Sequence, residues 1–298
     1  MKNDIYSQIQ SNKWKTIYVM TGFTVLITFV IYFISSYFLP SESVWFITPV
    51  MFLTSGISAF LSYWYSDKLT LLGVGAKEAT GPSFVELNHI VENLSIAAGI
   101  PKPPVYYMVD NSPNAFATGR DPNHAAICVT TGIIELLDRS ELEGVIAHEI
   151  SHIKNFDIRL MAVVSILIGV VISLIDYSFR FGMFKGTSRE DDRRSNGLLA
   201  IVSLILIILA PIMAQLLKLA ISRNREYLAD ASGAYLTRYP KGLADALVKI
   251  SEYKQPVKAA TDGNAHMFFD NPLKGKGLTN LFSTHPPAEE RIKRLLAM

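Results

Sequence analysis

Four uncharged apolar runs separated by polar segments set the plan of this 298-residue chain. The first two, Ile17 to Leu39 and Val44 to Tyr65, are each long enough to cross ~30 Å of hydrocarbon as a helix. Pro40 to Ser43 joins them in a short turn, so the pair reads as a transmembrane hairpin. Pro49 and Gly56 interrupt the second run, which membrane helices tolerate. The first run is too long for a signal-peptide core and lacks a small-residue cleavage site after it, so it is expected to stay as an anchor. The third run, Leu160 to Ile175, is short for a full span, whereas the fourth, Leu198 to Leu217, is long enough.

Between the two apolar pairs the periodicity changes. Gly81-Pro82-Ser83 opens an amphipathic helix with Phe84, Leu87, Ile90, Val91 and Leu94 on one face, ending near Gly99. Two β-rich runs follow, Val105 to Val109 and Ala125 to Thr131, then a short helix over Gly132 to Leu137. Ser140 to Phe156 predicts another helix, with Ser140 and Glu143 spaced as a capping box and Ile146, Ile150 and Ile153 as its apolar stripe. The expected fold is mostly α with a small β-sheet, a small α+β domain. Its parts are residues 1–65 as the hairpin, 66–159 as the first part of the domain, 160–221 as the second apolar pair with its polar loop, and 222–298 as the remainder.

Composition agrees with a membrane-associated chain. It is 50% hydrophobic and only 18% charged, more apolar than an ordinary soluble domain. A net charge of +2 says nothing about nucleic acid, and no basic run is interleaved with aromatics as a single-strand binder needs, so no nucleic acid is expected as a partner. The lone cysteine, Cys128, excludes an internal disulfide framework and reads as a small buried hydrophobe. Lys2, Lys13 and Lys15 precede the first run and no Lys or Arg lies in the connecting turn. The N-terminus, and everything from Ser66 on, is therefore expected on the cytoplasmic side. The loop Asp176 to Gly197 carries Arg180, Lys185, Arg189, Arg193 and Arg194, which fits poorly with an outside location. The second apolar pair is thus either another hairpin or a pair of helices that dip in and stay partly buried.

The predicted helix after Ser140 contains His148, Glu149 and His152, the H-E-x-x-H pattern. Residues four apart on a helix leave the same face, so two imidazoles can share one Zn²⁺ while the adjacent glutamate reaches water at that ion. A catalytic zinc keeps three protein ligands and an open position. Glu226 and Asp230, again four apart, are carboxylates that could complete the set, although beside Arg223 and Arg225 they also read as a solvated helix end.

Taken together these residues resemble the HtpX-type membrane metallopeptidases, relatives of the CaaX prenyl proteases within the gluzincin group of zinc endopeptidases. The likeness covers the N-terminal hairpin, Asn114-Ala115-Phe116-Ala117-Thr118-Gly119, His148 to His152, the second apolar pair, Asn224 to Asp230 and Ser283-Thr284-His285-Pro286-Pro287. It implies a membrane-anchored, zincin-like protease domain with between two and four transmembrane helices. One Zn²⁺ per chain is implied on His148, His152 and Glu226, with Glu149 as general base and acid. It implies Asp230 as a carboxylate steadying a metal-bound imidazole, and Asn114, Ala115, Phe116 and Ala117 as an edge strand holding extended substrate. On the residues alone that last stretch is an ordinary loop-strand junction. Asp157 is either a second such carboxylate or a helix-end charge, and His285 either an oxyanion donor or a packed histidine before two prolines. His89, His124 and His266 are expected to face solvent, and Phe268 and Phe269 to lie in a surface loop or lid.

The implied function is a multi-pass protease of the bacterial inner membrane with a cytoplasmic active site. It would clip extended segments of misfolded or unassembled membrane proteins in quality control and stress response, alongside other quality-control proteases. Processing of prenylated C-termini is the alternative with the same chemistry. A scaffold with structural zinc is the alternative of another class, disfavoured because structural sites fill all four positions and often use cysteine.

Overall fold

The structure, a computed structural model, describes residues 5–38, 41–165, 167–168, 223–261, 264–273 and 286–298. Of the second apolar pair only residues 160–165 and 167–168 are among the described residues, and His285 lies outside them. Helix α1 (Ile5–Phe38) and helix α2 (Ser41–Trp64) pack on one another. By length and composition, one helical stretch among the described residues is apolar enough to cross a membrane, Ser43–Trp64 within α2. Helix α1 begins well before the apolar run, so its polar first turns belong to the same rod as the apolar remainder. Large apolar side chains on the pair face outward, among them Trp45 (79% exposed), Phe46 (75%) and Leu53 (61%).

Helix α3 (Ser66–Gly73) leads into a four-stranded sheet in the order β1-β2-β4-β3. Strand β1 (Lys77–Glu78) runs antiparallel to β2 (Val105–Met108), β2 parallel to β4 (Ala125–Thr130), and β4 antiparallel to β3 (Ala115–Gly119). Strand β4 is buried along its whole length and apolar up to Thr130, because it is covered on both sides. Ala125, Ile127 and Val129 enter the main core, while Ala126 and Cys128 join Phe116, Met108, Met161 and Phe268 on the other face. Burial pushes the Cys128 thiol up to about 12, as expected of a packed hydrophobe rather than a nucleophile.

Helix α4 (Val85–Ala98) buries Leu87, Ile90, Val91 and Leu94, the face the periodicity marks out, and ends at Gly99 in the left-handed region (φ 71°). After α5 (Thr131–Leu136) comes α6 (Arg139–Lys154), which carries the histidine pair. Its cap differs from the sequence reading. The box is Asp138 with Glu141: the Asp138 carboxylate accepts the Glu141 N–H at 3.0 Å, and the Asp138 N–H reaches the Glu141 carboxylate at 2.8 Å. Leu137 is extended, so the helix starts two residues sooner and Ser140 is already inside it, its hydroxyl donating to Asp138. Nor does α6 show one buried stripe: Leu142 and every residue from Gly144 to Ile153 are buried. It is enclosed by α4, β3 and two later helices, α7 (Arg223–Thr237) and α8 (Pro240–Glu252). Helix α9 (Ala288–Leu295) closes against α7 and α8. The mostly helical α+β fold expected from the sequence is thus present.

Candidate metal centre

Two close approaches set the site. A Cβ on Gly144 would stand 2.7 Å from the Leu243 backbone, and one on Gly233 would stand 3.0 Å from the His148 nitrogen. Glycine at these points lets α7 and α8 lie directly on α6. On α7, Glu226, Asp230 and Gly233 fall at i, i+4 and i+7, so one stripe carries both carboxylates and the contact glycine toward the histidines.

The result is a buried cluster of His148, His152 and Glu226 whose donor atoms all lie within 4.8 Å of one another. The two Nε2 atoms are 3.0 Å apart, His148 Nε2 is 3.7 Å from Glu226 Oε2, and His152 Nε2 is 3.5 Å from Glu226 Oε1. Tetrahedral donors placed ~2.0–2.2 Å from a zinc ion are roughly 3.3–3.6 Å from each other, so these three fit one ion. The other face of each ring fixes its tautomer. His148 Nδ1 lies 2.9 Å from Asp230 Oδ1, and His152 Nδ1 lies 3.0 Å from Asp157 Oδ2. An ionised carboxylate only accepts, so each Nδ1 carries a hydrogen and each Nε2 is the ring atom left to face the cluster. Two imidazole nitrogens and a carboxylate converging in a buried space make a set that could hold a cation, one proton leaving as the ion enters.

The ionisation of the pair follows. Burial holds His148 down to about 4, against the pull of Asp230. Burial opposes charging His152 too, but the hydrogen bond to Asp157 and the charges of Glu226, Asp157 and Glu149 outweigh it and bring it up to about 9. A base raised in this way adds stability that is fully present below its ordinary value of ~6.5 and is lost as pH rises through about 9. Zinc needs both rings neutral, so uptake near pH 7.5 is expected to release about one proton. Titration calorimetry in buffers of different ionisation enthalpy reads that number; zero protons released contradicts the assignment.

Arg291 on α9 is a contributor for which the sequence offered no role. Fully buried, it grips Asp230 with Nε to Oδ2 at 2.9 Å and Nη2 to Oδ1 at 2.7 Å. Burial alone would raise the Asp230 carboxyl, but the Arg291 guanidinium and the His148 hydrogen bond bring it down to about 2. The guanidinium also lies over the Phe269 ring at 4.9 Å, and that ring meets His148 edge-on at 5.1 Å.

Phe268 and Phe269 are therefore core residues, not a surface loop, each 1% exposed. The Phe269 N–H donates to the Ala115 carbonyl at 2.8 Å, and the Asn114 amide pairs with both backbone groups of Asp270. His266, expected in solvent, is wholly buried against the Met161 carbonyl and the Ser165 hydroxyl, because this segment folds beneath the helical stretch 157–165. His89 and His124 are exposed as expected. Glu149 is buried on α6 beside His148. Along β3, Thr130 of β4 takes both backbone groups of Asn114 and Phe269 takes the Ala115 carbonyl, while the Phe116 side chain is in the core. Antiparallel alternation turns the N–H and C=O of Ala117 to the side away from β4, the side on which the Ala115 carbonyl meets Phe269.

Two imidazoles from adjacent turns of one helix, a glutamate between them and a carboxylate from a second helix define a metallopeptidase of the H-E-x-x-H type. The chain belongs to peptidase family M48, whose model matches residues 83–298. It is 50% identical over 293 residues to a protease HtpX homolog of Dictyoglomus thermophilum, covering 98% of this chain and 94% of the relative. A protease HtpX homolog of Lactobacillus helveticus is 43% identical, covering 99% of this chain and all of the relative (100%). One of Pyrococcus furiosus is 48% identical over 239 residues, covering 79% and 81%. Among solved structures, the crystal structure of S. mikatae Ste24p aligns with a TM-score of 0.48 and 17% identity, covering 98% of this chain and 66% of that one.

Proposed function

We propose that this metallopeptidase is a zinc endopeptidase of the membrane, cutting extended segments of misfolded or unassembled membrane proteins. The observation that carries the reading is the convergence of two Nε2 atoms and one carboxylate, each imidazole backed by a buried acid. His148, His152 and Glu226 would hold the ion. A zinc ion held there would supply Lewis acidity toward a scissile carbonyl and a water molecule. Glu149 takes that proton and hands it to the departing amine. Asp230, held by Arg291, and Asp157 keep the two rings in the tautomer that faces the cleft. Ala117 offers its backbone to an extended peptide laid along β3, a mode that reads shape more than sequence.

The outward-facing aromatic and aliphatic side chains of α1 and α2 favour a lipid surround, since so broad an apolar surface is rare on a soluble monomer. With the N-terminal lysines inside, the catalytic domain lies on the cytoplasmic face of the bacterial inner membrane. The purified chain in nanodiscs is expected to cleave a denatured protein in preference to a prenylated peptide. Cleavage should stop on chelation with 1,10-phenanthroline and return with zinc. Preference for the prenylated peptide would move the substrate to lipidated C-termini. Cleavage unaffected by chelation would overturn the metal reading.

A further inference from the structure

The polar first turns of α1 look in sequence like a solvated flank to a membrane anchor. In the structure they are part of the metal centre's support. Asn12 is only 3% exposed and sits where three elements meet. Its amide nitrogen donates to Asp157 Oδ1 at 2.8 Å and to the Asn155 carbonyl at 3.3 Å. Its amide oxygen accepts from Arg225 Nη1 at 3.2 Å. Asp157 is the carboxylate behind His152, and Arg225 directly precedes Glu226 on α7. One side chain thus touches the supports of two ligands that come from different helices.

The turn it holds needs holding. Phe156, between Asn155 and Asp157, has a φ of 60°, a conformation that costs a non-glycine residue of order 1 kcal/mol or more. Asn12 bonds to the residues on both sides of it, and Lys13 Nζ lies 4.8 Å from the Phe156 ring centroid. Asp157 has two oxygens: Oδ2 goes to His152, and Oδ1 receives the Asn12 amide. Without that donor Oδ1 keeps only the longer approach of Arg225 Nε at 3.9 Å among the described residues, and the acceptor behind His152 Nδ1 is held less firmly. One turn further along α1, the Thr16 hydroxyl donates to the Asn12 carbonyl at 2.9 Å, and Val19 packs on Leu160, Val163 and Val164.

We infer that Asn12 is a positioning residue for the metal centre, through which the N-terminal helix holds the His152 and Glu226 supports in register. The inference rests on the zinc reading of His148, His152 and Glu226. Removing a group that orients a metal ligand typically costs 10–100-fold in affinity; Asn12 acts one bond further out, so the low end, about 10-fold, is expected.

The test is zinc competition against a chromophoric chelator on the full chain in detergent, with the visible spectrum of the cobalt-substituted protein as second readout. Asn12→Ala should lose about 10-fold in zinc affinity and shift the cobalt bands. Asn12→Asp keeps the size and the acceptor for Arg225 but has no donor for Asp157, so it should lose at least as much, and it serves if the alanine variant does not fold. Val19→Ala trims the same helix in its apolar contact and should keep the parent affinity and bands. Parent-like zinc affinity and cobalt spectrum in the folded Asn12 variants would overturn the inference alone. An equal loss in Val19→Ala would overturn it too, by reducing the effect to general loosening. A parent chain that binds no zinc would remove the metal reading and this inference with it.

Discussion

Glu149→Gln is expected to keep its zinc and lose about 10²–10⁴-fold in kcat, the range general acid-base groups contribute. Glutamine matches glutamate in size, so the buried pocket beside His148 stays filled. What goes is the ability to accept a proton. The charge removed also helps hold a proton on His152, so the lost attraction for the cation is partly offset by weaker proton competition, and the three ligands stay in place. Zinc content by mass spectrometry and cleavage of a denatured substrate measure the two halves. Full zinc with undiminished cleavage takes Glu149 out of the mechanism; loss of zinc makes it part of the metal's support instead.

Arg291→Leu carries the second large effect, on folding. Arg291 and Asp230 are both buried and joined by two short hydrogen bonds. Removing one member of a buried ion pair strands the other charge, at a cost of about 3–5 kcal/mol. Asp230 is held near 2, so its contribution to stability is complete above the ordinary carboxylate value of ~3.9 and fades as pH falls through about 2. Without Arg291 burial works against the Asp230 charge with only His148 left to oppose it, so the acceptor that fixes the His148 tautomer is weakened. The variant should melt well below the parent and hold zinc weakly. Asp230→Leu combined with Arg291→Leu should regain much of the melting temperature and none of the zinc affinity. A single variant with parent stability and parent zinc would show that the pair does not support the site.

What the sequence disclosed and withheld follows a physical line. His148 and His152 were readable because one helical repeat places them, and α6 needs nothing remote to align them. Cys128 and the face of α4 were readable from local pattern. Glu226 could be chosen over Asp230 only through the family likeness, since both lie on one stripe of α7 and spacing does not say which is nearer the metal. Asn12 and Arg291 were hidden because their contacts span 145 and 61 residues, and each sits in a charged or polar stretch where neighbours look the same. His266 was misread for the opposite reason. Its segment lacks periodicity, which signals a surface loop, yet it is pinned beneath residues 157–165 by hydrogen bonds to Met161 and Ser165. The cap of α6 was placed two residues late because Asp138-x-x-Glu141 and Ser140-x-x-Glu143 overlap, and only the extended Leu137 decides between them.

X-ray absorption at the zinc edge of the full chain addresses the convergence of the three donors most directly. The account predicts one zinc per chain with two imidazole nitrogens and at least one carboxylate oxygen at about 2.0–2.2 Å, and a nitrogen shell reduced by one in a His152→Ala variant that still folds. A zinc shell without two histidines, or one unchanged by that substitution, would contradict it.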